Sequence, residues 1–94
     1  MPTLTVGFQT MPNGKDVDTH GVIPKMIEVV KESGLTYEVG PMETVVEGDY
    51  DKIMSVIKET QEVGIQHGAT EVFTNIKMHY KTDGVSIADK KKDV

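Results

Sequence analysis

The sequence predicts one α+β domain in which four strands form a single antiparallel sheet and two helices cover one of its faces. Three observations carry this expectation. The first and last structured stretches alternate apolar and polar residues at strand period, two inner stretches repeat apolar residues at helical period, and each helical stretch exits through a glycine into a strand. At 94 residues, the chain has room for one core and no second.

The first strand runs from Thr3 to Met11, with Leu4, Val6 and Phe8 pointing one way and Thr5, Gly7 and Gln9 the other. Pro12-Asn13-Gly14-Lys15-Asp16 is rich in turn formers, and the polar stretch up to Thr19 reads as a loop. From Thr19 to Ser33 the residues Val22, Ile23, Met26, Ile27, Val29 and Val30 form one helical stripe. Pro24 lies close enough to the start to be tolerated, and Gly34 stops the helix. Gly34 to Asp49 then holds two short strands turned by Gly40-Pro41.

Asp49 suits the N-cap of a second helix, whose inward stripe is Ile53, Val56, Ile57, Thr60, Val63 and Gly64 and which ends near Gly68. A last strand covers Thr70 to Tyr80, where Val72, Thr74, Ile76 and Met78 alternate with Phe73, Asn75, Lys77 and His79. The expected domain therefore spans residues 1–80, and residues 81–94 form a polar tail. Within that tail, Ser86-Ile87-Ala88-Asp89 has the pattern of a weak capping box, which leaves room for one short helix. The order β-α-β-β-α-β carries a faint internal repeat, Ser33-Gly34-Leu35-Thr36 against His67-Gly68-Ala69-Thr70. Right-handed crossovers then place both helices on one side of the sheet, the ferredoxin-like arrangement.

Leu4, Val6, Phe8, Leu35, Tyr37, Val39, Val72, Ile76 and Met78 are expected to face the helices. The other face carries Thr5, Gly7, Gln9, Thr36, Glu38, Phe73, Asn75, Lys77 and His79 and is left open. It is neither greasy nor fully charged, so burial by a second subunit and simple solvation both fit.

Composition narrows the function. The chain has 37% hydrophobic and 27% charged residues and a net charge of -5, as a soluble, mildly acidic protein would. All ten basic residues are lysines. Without a guanidinium fork, neither nucleic-acid binding nor arginine-dependent acylphosphatase chemistry is favoured. Cysteine is absent, which removes disulfides, thiolate metal sites and cysteine nucleophiles. No basic-then-apolar leader opens the chain, and no stretch approaches the roughly 20 apolar residues that span a bilayer. A cytoplasmic protein without membrane partners is the expectation.

Several side chains are candidates for a ligand site, each with a structural alternative. Glu47 either places a carboxylate at a pocket mouth or lies on the surface, whereas Asp49 reads first as a cap. Gln9, Asn75 and Lys77 converge if the first and last strands pair; amides there suit an aminopyrimidine edge, and an interface lined by polar groups explains them equally. Met42 and Tyr37 either sandwich a flat ring or pack in the core. His20, His67 and His79 lack a spacing that would gather a metal, and Lys90-Lys91-Lys92 reads as solvated. No nucleophile-base pair stands out, so the residues make no case for an enzyme.

Two stretches are distinctive as strings. One is Glu32-Ser33-Gly34-Leu35-Thr36-Tyr37-Glu38 leading into Pro41-Met42-Glu43-Thr44-Val45-Val46-Glu47-Gly48-Asp49, and the other is Gly68-Ala69-Thr70-Glu71-Val72-Phe73-Thr74-Asn75-Ile76-Lys77. Both resemble the thiamine-binding-protein-like (YkoF-like) family, and the resemblance extends from the first strand to about Lys77. It implies a ferredoxin-like homo-oligomer, a dimer or tetramer joined through sheets and strand edges. Such an oligomer binds thiamine, or its hydroxymethylpyrimidine half, without chemistry and with no further cofactor. By position the resemblance carries over to Thr44, Glu47, Asn75 and Lys77. Two departures stand out: Glu43 replaces the glycine common after the methionine, and His79-Tyr80 replaces a more acidic strand end.

Overall fold

A computed structural model describes residues 3–92. Met1, Pro2, Asp93 and Val94, the outermost residues of the expected domain and tail, lie outside that range. Seven elements follow in order: β1 (Leu4–Asn13), α1 (Thr19–Glu32), β2 (Thr36–Val39), β3 (Thr44–Gly48), α2 (Tyr50–Gln66), β4 (Glu71–His79) and α3 (Ile87–Lys91). The strands form one sheet in the order β2-β3-β1-β4, every pairing antiparallel. This is the ferredoxin-like α+β arrangement that the sequence predicts.

Local chemistry explains where the helices begin and end. Asp18, one residue ahead of the expected start, caps α1 by accepting from the Gly21 amide at 3.2 Å, and Asp49 caps α2 by accepting from Lys52 at 2.8 Å. The two helix exits share a backbone solution as well as a sequence. Gly34 (φ 83°) and Gly68 (φ 102°) both adopt the left-handed conformation that a side chain would strain. Leu4, Val6, Phe8 and Val46 of the sheet pack against Val30, Ile53, Val56 and Ile57 of α1 and α2. Leu4 and Ile53 are wholly buried, and each such side chain contributes about 1.5–3 kcal/mol by leaving water.

Three features differ from the sequence expectation. β1 does not stop at Met11 but continues through Pro12 to Asn13, opposite Val72 and Glu71 of β4. Beyond Phe8 this strand has, among the described residues, a neighbour on one side only, the setting in which a strand tolerates proline. Ile76 and Met78 do lie on the helix face, opposite Phe8 and Val6, yet they are 39% and 37% exposed. α2 meets β4 only along its first half, where Val72 approaches Gly64 and Gln61 donates to the Thr74 hydroxyl at 2.8 Å.

The third difference concerns the open face, which is not bare. Past a turn at Gly84 (φ 88°), the C-terminal segment folds back over it. The Val85 amide donates to the Thr3 carbonyl at 2.8 Å, and Thr5 Oγ1 donates to the Val85 carbonyl at 2.7 Å. Ser86 and Asp89 form a reciprocal capping box that starts α3. Lys91 pairs with Glu38 at 3.0 Å and Lys90 meets His79, while both lysines stay exposed to solvent, as the sequence predicts. The chain itself thus covers the face around Thr5 and Gly7, while Gln9, Phe73, Asn75 and Lys77 stay exposed.

Candidate ligand site

β1 and β3 run together from Leu4 opposite Gly48 to Phe8 opposite Thr44. There the hairpin turns away, closed by a Gly40 amide to Glu43 carbonyl bond of 2.9 Å, while β1 continues beside β4. The unpaired edge of β1, the hairpin tip and α1 therefore enclose a notch of about 170 Å³. Its lining comes from both faces of β1, since Phe8 and Thr10 face the helices and Gln9 and Met11 do not.

One wall of the notch is apolar. Ile23 and Ile27 project from successive turns of α1, and Met42, 79% exposed, stands at the lip. Hydroxyls mark the other side. Thr60 is buried and donates to the Ile57 carbonyl at 2.6 Å, with the Thr10 hydroxyl 3.3 Å away. Thr44 adds a further hydroxyl, and Glu43 also lines the notch, with its carboxylate lying across Gly7. An aromatic ring would find apolar contact on its faces here and donors or acceptors at its edge.

Of the residues singled out from the sequence, Gln9, Met42 and Thr44 line this notch. Tyr37 does not; it stands opposite Val46 on the outer strand β2, 39% exposed, so it and Met42 do not share the cleft. Asn75 is exposed on β4 opposite Gln9, which places the two amides side by side on the face away from the helices. Lys77 stands opposite Gly7 and pairs with Glu43, Nζ to Oε1, at 2.9 Å. Glu47 has a structural partner. Its Oε1 accepts from the Ile87 amide at 3.0 Å and so fastens the start of α3 to the sheet.

Ile23, Ile27, Thr10 and Met11 were not legible as site residues. The isoleucines repeat at core period, and only the early departure of the hairpin uncovers them. Thr10 did leave a signal, because it puts a hydroxyl where the run Leu4, Val6, Phe8 calls for another apolar residue. Among the described residues, no group of three histidine or acidic side chains is placed to hold a metal ion. No helix among them is long and apolar enough to cross a membrane.

Fold and notch together define a small α+β domain with a ring-sized recess at the tip of its β2–β3 hairpin. Residues 6–94 match the family described as thiamine-binding protein. The chain belongs to that family. It is 38% identical over 90 residues to a UPF0045 protein of Clostridium perfringens, covering 96% of this chain and 95% of that one. Among solved structures, it is similar to a domain of unknown function, DUF77, from Bacillus cereus, with 43% identity, a TM-score of 0.90, and 95% and 86% of the two chains covered. A Thermotoga maritima protein provisionally assigned to thiamine biosynthesis or salvage gives 34% identity, a TM-score of 0.86 and 98% coverage of each chain.

Proposed function

We propose that this protein binds thiamine or its hydroxymethylpyrimidine moiety in the notch, as a cytoplasmic homo-oligomer, and does no chemistry on it. The observation that carries this is the pairing of an apolar wall, Ile23, Ile27 and Met42, with the hydroxyls of Thr10 and Thr44 in one recess. The family's description and the provisional role of the Thermotoga maritima protein agree with it. Size favours a single ring inside. Sites for drug-sized ligands run to about 300–1,000 Å³, whereas the notch is about 170 Å³. The pyrimidine therefore seats against Ile27 with its edge toward the hydroxyls, the Met42 sulfur meets the ring, and the thiazolium stays at the mouth near Glu43.

An oligomer is supported by the outer edge of β4, nine residues long with Phe73, Ile76 and Met78 exposed on it and Tyr80 just beyond. Such an edge pairs readily with another strand. That same edge favours a second reading, an oligomer that holds no small ligand.

Thermal melts at fixed protein concentration, with thiamine, hydroxymethylpyrimidine or thiamine pyrophosphate, separate the two. Ligand at 100 times its dissociation constant adds about 2.7 kcal/mol, a shift on the order of 10 °C for a domain of this size. Ile27→Trp, which fills the notch, should abolish the shift while leaving the sedimentation coefficient unchanged. No shift with any of the three at millimolar concentration would leave the ligand-free oligomer. Purified protein should also leave hydroxymethylpyrimidine unconverted; turnover would contradict the non-enzymatic assignment.

A further inference from the structure

We infer that Glu43 sets the charge preference of this site, selecting cationic ring systems over neutral ones, and that Lys77 occupies its carboxylate until such a ligand replaces it. This rests on the notch being the ligand site. Glu43 is the one residue shared by the notch and by a second cleft of about 280 Å³ on the opposite face, which Gly7, Lys77, His79 and Lys90 also line.

The position of the carboxylate is built into the sheet. It lies across Gly7, so close that a Cβ there would come within 2.9 Å of Glu43 Cδ, Oε1 and Oε2. A strand residue without a side chain is what leaves room for it. From this place the carboxylate pairs with Lys77, and the same residue lines the notch at the hairpin tip.

Exposure decides which partner yields. The Lys77 side chain is 78% exposed and that of Glu43 31%, so Lys77 is already largely hydrated and leaves for water at little cost, whereas the carboxylate stays. A cationic ligand then exchanges with an internal cation. A neutral ring has no such exchange to make and is indifferent to both residues.

Exposed ion pairs are weak, so removal of Lys77 should tighten a cationic ligand by about two- to fivefold. The test is calorimetric titration of thiamine and of neutral hydroxymethylpyrimidine into the wild type, Lys77→Met, Glu43→Gln and the double variant, with a melt of each to confirm folding. Lys77→Met is expected to strengthen thiamine and leave hydroxymethylpyrimidine unchanged. Glu43→Gln should weaken thiamine alone, and in its presence Lys77→Met should have no further effect. If both ligands bind the wild type and their ratio ignores these substitutions, the charge preference is wrong while the site stands. If the wild type binds neither, site and preference fall together.

Discussion

Thr5→Val is a substitution for which burial and hydrogen bonding predict opposite signs. Thr5 is 3% exposed on the sheet face away from the helices, and its hydroxyl donates to the carbonyl of Val85, itself 6% exposed. Valine keeps the shape, adds apolar surface and has high strand propensity, so burial alone predicts a protein at least as stable. The hydrogen bond predicts a loss. Without the donor, the Val85 carbonyl stays buried and unpartnered, which costs about 1–3 kcal/mol. The segment escapes that cost only by peeling off the sheet, which gives up the burial of Val85, about 1.5–3 kcal/mol for such a side chain. Either way the loss is near 2 kcal/mol, or on the order of 10 °C in Tm. Thr5→Ser keeps the donor and loses one methyl, about 0.8 kcal/mol of burial plus a few tenths of strand propensity. Melts followed by circular dichroism at one protein concentration should rank wild type above Ser and Ser above Val. A valine variant as stable as wild type, with serine lowest, would refute the anchoring of the C-terminal segment through this bond.

Gly7→Ala should push the Glu43 carboxylate off the sheet and break its pair with Lys77. The lost pair, up to about 1 kcal/mol, is offset by the lower unfolded-state entropy of alanine, about 0.4–1 kcal/mol. Tm should thus move by only a few degrees while thiamine loses its advantage over hydroxymethylpyrimidine. Glu47→Ala removes the acceptor of the Ile87 amide, so hydrogen exchange at Ile87–Lys91 should quicken while ligand affinity holds within about twofold. Asp89 is held below the ordinary carboxyl value of 3.8 by the Ser86 backbone N–H first and the Ser86 hydroxyl next. A depressed folded-state pKa means that its contribution to α3 is present above 3.8 and is lost as pH falls through the lower folded value. Protection of the α3 amides, taken relative to their intrinsic exchange at each pH, should fall over that acid window, and Asp89→Asn should remove the dependence.

The architecture was legible because its signals are local and repeated. Alternation in β1 and β4, the stripes of α1 and α2, the Asp49 cap and the two glycine exits all point to one topology. The strength of the turn residues Pro12 to Asp16 hid the continuation of β1, since sequence cannot say that the strand has lost its neighbour on one side. That unseen continuation creates the notch. Hence Met42 and Thr44, candidates on the hairpin, line the notch, as do Ile23 and Ile27, which the sequence does not distinguish from core. Glu47 stands out in the sequence as a carboxylate, but the contact it makes in the fold has no local signal. Its partner is a backbone amide 40 residues away, a contact with no periodic trace. The fold-back of the C-terminal segment left only faint marks, Val85 and Ile87 within a polar run and a threonine at a buried strand position.

The most direct test is a titration of hydroxymethylpyrimidine into isotopically labelled protein, following every backbone amide by NMR. Binding in the notch predicts the largest shifts at Thr10, Ile27, Met42, Glu43 and Thr44, with Asn75 and Ile87 nearly still. Shifts centred on Asn75, Lys77 and the α3 segment, with the Ile27 and Met42 amides unmoved, would place the ligand on the opposite face and contradict the assignment.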